Sequence, residues 1–176
     1  MHIFLQGPKK IGKSTIIRKM LEILTADTNI KPGGFFTWNG GEADPHVYMR
    51  PACTGTENKT LRLASYDPES GLISDNQVFE RDGVEILTGS KGANLIIMDE
   101  LGFLESKAPL FRKAVLDILA GDIPVLGVLR LGGVPWHNDI KSNPQVTVID
   151  VNENNRDELP RELAEKISTD HQGTQR

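Results

Sequence analysis

Apolar residues along this chain fall into short uninterrupted runs that alternate with longer stretches at helical spacing. The short runs predict five buried strands, at 2–6, 33–38, 94–98, 123–129 and 145–151. The helical spacing predicts four helices, at 13–26, 76–88, 106–120 and 156–167. The last of these is expected to start properly near Pro160, and Gly83 weakens the second. Because strands and helices alternate, the pattern predicts an α/β fold, with a mostly parallel sheet between two helical layers.

The segment 39–75 interrupts this alternation. It is rich in Gly, Pro, Asn and Thr, and apolar and polar residues alternate over 60–64. Such a composition is typical of hairpin strands joined by turns, so we expect antiparallel additions to the sheet here. Of the 176 residues, 1–170 are predicted to form a single domain and 171–176 a polar tail.

Composition and charge narrow the class of protein. The formal net charge of −4 gives no sign of a nucleic-acid surface. The opening apolar run is too short for a secretory signal, and no run approaches the roughly 20 apolar residues of a membrane span. Cys53 is the only cysteine, which excludes an internal disulfide, and we expect it to be buried and inert. We therefore expect a cytoplasmic protein with no membrane partner, and nothing in the sequence indicates an oligomer.

The clearest chemistry lies in one segment, Gly7-Pro8-Lys9-Lys10-Ile11-Gly12-Lys13-Ser14. It fits the phosphate-binding pattern G-x-x-x-x-G-K-[ST] and stands between a predicted strand and a predicted helix. Glycines let such a loop turn sharply, so that its N–H groups point at phosphate oxygens near the helix N-terminus. Lys13 would place its ammonium against the β and γ oxygens, and Ser14 would offer a hydroxyl to Mg²⁺. For Lys9 and Lys10, exposure to solvent is favoured over phosphate contact.

An acid pair ends the apolar run 94–98. Because parallel strands bring their carboxyl ends to one crevice, Asp99 is expected to lie beside Ser14 and to help hold Mg²⁺. Glu100 could orient and deprotonate an attacking water. The alternative is that both acids simply mark where the strand leaves the core. The phosphate loop upstream favours metal and water chemistry.

Three further segments make the chain similar to a known family. They are Gly34-Phe35-Phe36-Thr37, the segment 99–105 beginning Asp99-Glu100, and the segment 151–159. With the phosphate loop, they resemble the small P-loop nucleoside-triphosphatases that include the human cancer-related nucleoside-triphosphatase and its archaeal and bacterial relatives. The resemblance covers most of the chain.

That resemblance implies a three-layer, RecA/AAA+-like sheet. It also implies slow, Mg²⁺-dependent hydrolysis of ATP, GTP and other nucleoside triphosphates, with loose base selectivity. Phosphate binding would involve residues 7–15, which adds Thr15 to the loop, and metal binding would involve Ser14 and Asp99. Water activation would belong to Glu100.

Two positions depart from the family pattern. Lys10 stands where family loops usually have glycine, which could change the shape of the loop. Phe103 stands where the family has a lysine, so turnover could be slower if that lysine supports transition-state charge. Arg130, just after the run 123–129, is a candidate catalytic arginine acting within its own chain. The alternative of a solvated loop arginine stays open.

Three functions are compatible with these residues. In a hydrolase, water attacks the γ-phosphate. In a kinase, a hydroxyl of a small molecule or nucleotide attacks it instead. In a nucleotide-binding switch, the protein binds the nucleotide and hydrolyses it only weakly. The adjacent acids suit water activation. A kinase often has a flexible lid rich in arginine, and the segment 39–75, which could form such a lid, contains only two arginines, Arg50 and Arg62. Hydrolysis is therefore the favoured hypothesis. For Trp38 and Trp136, packing in the core or at its rim is favoured over stacking on a base.

Overall fold

The computed structural model describes residues 1–27, 29–53, 59–90 and 92–174. Within these ranges, eight strands form one sheet. They are β1 (His2–Gln6), β2 (Pro32–Asn39), β3 (His46–Pro51), β4 (Leu61–Asp67), β5 (Gly71–Ser74), β6 (Leu95–Leu101), β7 (Val125–Leu129) and β8 (Val146–Asp150). Their order across the sheet is β5-β4-β3-β2-β6-β7-β1-β8.

The sheet has a parallel part and an antiparallel part. Strands β2, β6, β7, β1 and β8 run parallel. Strands β3, β4 and β5 continue the sheet from β2 in antiparallel fashion. This confirms the predicted α/β class, with antiparallel additions in the segment 39–75. Strand β7 separates β1, which leads into the phosphate loop, from β6, which carries the acid pair.

Helices cover both faces of this sheet. They are α1 (Lys13–Asp27), α2 (Asn76–Val78), α3 (Val84–Thr88), α4 (Pro109–Leu119), α5 (His137–Lys141) and α6 (Leu159–Thr174), with a π-helical turn (Phe79–Gly83) between α2 and α3. Helix α1 packs beside α6 on one face, and α3 packs beside α4 on the other. Across the described ranges, none of these helices combines the length and the apolar character that crossing a bilayer requires.

Side chains along β1 show why both faces are buried. Ile3 and Leu5 join the core cluster under α1 and α6, whereas Phe4 joins the cluster that contains Phe111 of α4. Successive residues of a strand face opposite sides, so an uninterrupted apolar run suits a strand that is covered on both sides. The result is a three-layer arrangement with β1 in the middle layer, one strand in from the β8 edge of the sheet.

The start of α4 differs from the prediction. The helix begins at Pro109 rather than near Ser106, and its N-cap, Ala108, provides no side-chain hydrogen bond. Instead, the Glu80 carboxylate accepts hydrogen bonds from the backbone N–H groups of Leu110 (2.8 Å) and Phe111 (3.5 Å). A negative charge at this end also suits the helix dipole. The helix start therefore depends on a residue from a distant part of the sequence, which local sequence patterns do not reveal.

Other boundaries also shift. The segment 76–88 is helical throughout, and Gly83 serves close packing there, since a Cβ at this position would lie 2.8 Å from Cδ2 of Phe111. Strand β6 continues through the acid pair to Leu101, and the short helix α5 was not predicted. The expectation that Cys53 is buried was wrong, because this residue lies past the end of β3 and its side chain is exposed.

The last helix is longer than its apolar pattern indicates. The prediction ended it at Ile167, but α6 continues to Thr174. Extending an existing helix is far easier than starting one, and the Thr169 hydroxyl adds a 2.9 Å hydrogen bond to the Glu165 carbonyl. Residues 171–174 of the predicted polar tail thus belong to α6, and 175–176 lie outside the described residues.

The Glu80 cap generates a stability prediction. Glu80→Ala is expected to lower the free energy of unfolding by about 1 kcal/mol, because the first N–H groups of α4 lose their acceptor. Urea denaturation followed by circular dichroism measures the change. Glu22→Ala, at an exposed position on α1, is the control and should stay within about 0.5 kcal/mol of the parent. Equal urea midpoints for the parent, Glu80→Ala and Glu22→Ala would contradict a capping role for Glu80.

Candidate functional site

The phosphate loop joins the end of β1 to the start of α1. Gly12 has a φ of 111°, and a Cβ placed there would meet no atom within 4 Å. The backbone conformation, rather than crowding inside the protein, therefore calls for glycine. The same open space leaves room for a phosphate group beside the backbone.

Lys10 adopts a left-handed conformation, with a φ of 65°. This conformation costs a non-glycine residue about 1–2 kcal/mol. Lys9 and Lys10 both have exposed side chains, in agreement with the favoured expectation for them. The departure from glycine at position 10 thus leaves the backbone in a conformation that glycine would adopt more readily.

Lys13 lies at the start of α1 with its ammonium folded over the loop. Its Nζ donates hydrogen bonds to the carbonyl oxygens of Gly7 and Pro8, both at 2.8 Å. Burial lowers the pKa of Lys13, while the nearby carboxylates of Glu100 and Asp99 act in the opposite sense. The loop, the ammonium and the acid pair therefore share one electrostatic environment.

Ser14 and Asp99 connect the loop to strand β6. The Ser14 Oγ donates a hydrogen bond of 3.1 Å to Oδ1 of Asp99, so the two segments meet where the parallel-strand argument predicts. Asp99 is only 2% exposed. Burial raises the pKa of Asp99 to about 7, and the hydrogen bond from Ser14 and the charge of Lys13 oppose that rise.

Glu100 has one contact through its backbone and another through its side chain. Its N–H donates a 3.0 Å hydrogen bond to the Thr37 hydroxyl on β2. Its Oε1 lies 3.6 Å from Nη1 of Arg130, and both side chains remain partly exposed. The Arg130 guanidinium also lies over the Phe103 ring, 4.6 Å from its centroid, in cation–π geometry. Arg130 therefore lies beside Glu100 and over Phe103, although 42% of its side chain stays exposed.

The turn that follows Glu100 contains a second buried carboxylate. Glu105 accepts a hydrogen bond from the Gly102 N–H, and the Gly102 carbonyl accepts one of 3.0 Å from Nε1 of Trp136. Burial raises the pKa of Glu105 to about 7. The sequence analysis gave no role to Glu105 or Thr37, although both stand in family-like segments, and that was the signal available.

The oxygen donors of Ser14 and Asp99 fit a magnesium ion. Mg²⁺ prefers hydroxyl, carboxylate and water oxygens, and it usually needs only one or two carboxylates from the protein. A buried carboxylate whose pKa is raised by desolvation is one that a divalent cation would stabilise in its charged form. Neighbouring Lys13 and the loop N–H groups would complement phosphate.

The buried Asp99 carboxylate generates a prediction on stability. Its pKa is raised above the unfolded value near 4, so the ligand-free protein should lose stability as pH rises from about 4 to about 7. Asp99→Asn should remove this loss and stabilise the protein at pH 8 by on the order of 3 kcal/mol without Mg²⁺ or nucleotide. Thermal unfolding at pH 5 and pH 8 measures the difference. A variant less stable than the parent at pH 8 would contradict it.

Comparison with known proteins places these residues in a family. A family model described as NTPase matches residues 2–164. The nucleoside-triphosphatase THEP1 of Natranaerobius thermophilus is 30% identical over 175 residues, covering 94% of this chain and 96% of the relative. The THEP1 of Methanosarcina barkeri is 31% identical over 172 residues, covering 95% and 97%.

Two solved structures share the fold. THEP1 from the hyperthermophile Aquifex aeolicus matches with a TM-score of 0.75 and 23% identity, covering 93% of this chain and 96% of that one. The solution structure of a human cancer-related nucleoside triphosphatase matches with a TM-score of 0.74 and 22% identity, covering 96% and 97%. The solved structures share the three-layer fold, and the match to the family model over residues 2–164 shows that the chain belongs to the NTPase family of P-loop nucleoside-triphosphatases.

Proposed function

We propose that this chain hydrolyses the γ-phosphate of ATP, GTP and other nucleoside triphosphates with the help of Mg²⁺. Nucleoside triphosphate hydrolysis follows from membership of the NTPase family. One observation carries the assignment of individual residues, the hydrogen bond between Ser14 on the phosphate loop and Asp99 on β6. This contact supports the proposal that the phosphate cradle and the metal ligands act together.

Substrate binding is assigned to the phosphate loop. The N–H groups of its residues and the helix N-terminus behind them attract phosphate oxygens. Lys13 would exchange its hydrogen bonds to the Gly7 and Pro8 carbonyls for bonds to the β and γ oxygens. The full set proposed for phosphate binding is Gly7, Pro8, Lys9, Lys10, Ile11, Gly12, Lys13, Ser14 and Thr15.

Ser14 and Asp99 would hold the magnesium ion. When bound, Mg²⁺ supplies positive charge that neutralises the phosphate oxygens as negative charge develops on them. Asp99 would then be charged, because an adjacent cation offsets the desolvation that raises its pKa.

Glu100 is assigned the role of general base. A water oxygen attacks the γ-phosphorus, its proton moves to the Glu100 carboxylate, and the bond to the β-phosphate oxygen breaks to release the nucleoside diphosphate. Thr37 fixes the Glu100 backbone, which limits where the carboxylate can reach. Arg130, tethered by Glu100 and Phe103, is proposed to complement negative charge on the γ-phosphate.

Loose base selectivity is proposed because the assigned contacts all address phosphate and metal rather than a base. We also propose a cytoplasmic location, with which a single cysteine is compatible. The test of function is phosphate release from ATP, GTP, CTP and UTP, and from the matching diphosphates, with and without Mg²⁺. Release from all four triphosphates supports the proposal. Labelled γ-phosphate that moves to an added hydroxyl compound instead of water would favour a kinase.

Lys13→Ala tests substrate binding. The variant should bind a non-hydrolysable ATP analogue at least ~100-fold more weakly, because a charge-assisted contact to the phosphates is lost. Titration calorimetry with Mg²⁺ measures the affinity. Lys19→Ala is the matched control, since it removes an exposed lysine of α1 outside the proposed phosphate-binding set and should change the affinity by less than about threefold. Equal effects of the two substitutions would contradict the role of Lys13.

Glu100→Gln separates chemistry from binding. Turnover should fall by ~10²-fold or more, about 3 kcal/mol of barrier, whereas the ATP analogue should still bind. Steady-state phosphate release and calorimetry give the two quantities. Glu69→Gln, at an exposed turn position, should leave both quantities near the parent values. Unchanged turnover in Glu100→Gln would remove this residue from the mechanism.

A further inference from the structure

A cleft of about 630 Å³ opens beside the acid pair, on the side away from β1. Asp99, Glu100 and Ser14 line its near end. The cleft then continues over β2 and β3 to Arg50 and Thr60 at its far end. Its volume is within the range of small-molecule sites. The proposed hydrolysis uses only the near end.

The pairing of the strands fixes the layout of this cleft. Phe36 on β2 is paired with Asp99 on one side and with Arg50 on the other. Directly paired residues present their side chains on the same face, so an acid, an aromatic ring and an arginine form one row across three strands. At about 4.8 Å per strand, the Asp99 and Arg50 backbones are about 10 Å apart. The Arg50 guanidinium lies 5.5 Å from the centroid of the Phe36 ring.

A second row supplies a flat surface. Trp38 and Tyr48 are paired across β2 and β3, and their rings stack with centroids 5.5 Å apart and an interplanar angle of 25°. Tyr48 and the sheet support the indole, yet Trp38 remains 37% exposed. An exposed indole held in place by a stacked neighbour is a ready surface for another planar ring.

Charge divides the cleft into two ends. The near end carries the carboxylates of Asp99 and Glu100, and Arg18 of α1 lies there too, donating hydrogen bonds to the Ser14 carbonyl (3.5 Å) and the Thr15 hydroxyl (3.4 Å). The far end carries Arg50. Within the described part of the chain, neither guanidinium forms an ion pair with a carboxylate. Arginine suits phosphate groups because its planar fork can donate two hydrogen bonds to them. The far end therefore favours an anion.

The triphosphate substrate itself would not fill this far end. Its γ-phosphate is its terminal group, and the proposed mechanism places that group at Glu100. The rest of the nucleotide then extends back over the phosphate loop at the end of β1. Strands β1 and β3 are four positions apart in the sheet, about 19 Å at about 4.8 Å per strand. A ligand at Arg50 is thus a second molecule.

We propose that the far end of this cleft binds a nucleoside monophosphate next to the γ-phosphate of the triphosphate, with its phosphate on Arg50 and its base on Trp38. The proposal rests on the proposed function for the position of the γ-phosphate. It assigns a second ligand, a nucleoside monophosphate, to the end of the cleft that hydrolysis does not use.

The experiment is titration calorimetry with AMP, GMP, CMP and UMP on the full chain. The triphosphate site is first saturated with Mg²⁺ and a non-hydrolysable ATP analogue. At least one monophosphate should bind with a stoichiometry near one. If AMP binds, adenosine, which lacks the phosphate, and ribose 5-phosphate, which lacks the base, should each bind at least tenfold more weakly than AMP. For another monophosphate, its own nucleoside replaces adenosine in this comparison. The same titrations are repeated without the analogue. Monophosphate binding that is seen only without the analogue would mean that the monophosphate occupies the triphosphate site, and it would overturn the proposal.

Substitutions locate the site. Arg50→Met keeps an unbranched stem over Phe36 and should weaken monophosphate binding at least tenfold, while ATP turnover stays within twofold of the parent. Arg161→Met, at an exposed position on α6, removes the same charge far from the cleft and should change neither quantity. Bound monophosphate should also quench tryptophan fluorescence, and Trp38→Phe should abolish that quenching, because Trp136 is buried.

The two proposals fail in different ways. No phosphate release from any triphosphate would overturn the proposed function. Normal phosphate release with no binding of any of the four monophosphates would overturn the second site alone. Equal monophosphate affinity in Arg50→Met, Arg161→Met and the parent would do the same, and this comparison does not depend on hydrolysis.

Discussion

The contact between Ser14 and Asp99 is the interaction on which the site depends, because it joins two segments 85 residues apart in the sequence. Each segment follows a parallel strand, and β7 alone separates those strands. Burial of the Asp99 carboxylate is costly in the ligand-free state and raises its pKa, and the hydrogen bond from Ser14 offsets only part of that cost. A protein keeps such a carboxylate where binding a cation can offset the desolvation. Stability and binding therefore oppose each other at this position.

The surroundings of Glu100 show how one strand end can be fixed from several directions. Thr37 on β2 holds its backbone, and Arg130 after β7 approaches its side chain. In the following turn, the Glu105 carboxylate accepts a hydrogen bond from the Gly102 N–H, and the Trp136 Nε1–H donates one to the Gly102 carbonyl. Three hydrogen bonds and one ion pair therefore converge on a short segment. Such preorganisation lets a catalytic group act without first being reoriented.

Sequence patterns predicted the parts of this molecule that depend on neighbours along the chain. The uninterrupted run before Asp99 and the glycine spacing of the phosphate loop are local signals, and the meeting of Asp99 with Ser14 follows from how parallel strands end. Contacts between distant residues could not be predicted in this way. Glu80 determines where α4 begins, and Phe103 stacks on Arg130, although no local pattern connects either pair. The exposure of Cys53 likewise depends on where the chain leaves β3.

Lys10 has a consequence for recognising related proteins. The turn at this position is left-handed, yet a lysine occupies it. The general pattern G-x-x-x-x-G-K-[ST] leaves this position free, whereas a narrower pattern that required glycine here would pass over chains whose loop has the same course. A search that scores backbone shape, and treats glycine as the cheapest rather than the sole occupant, would retrieve a broader set of phosphate-binding proteins.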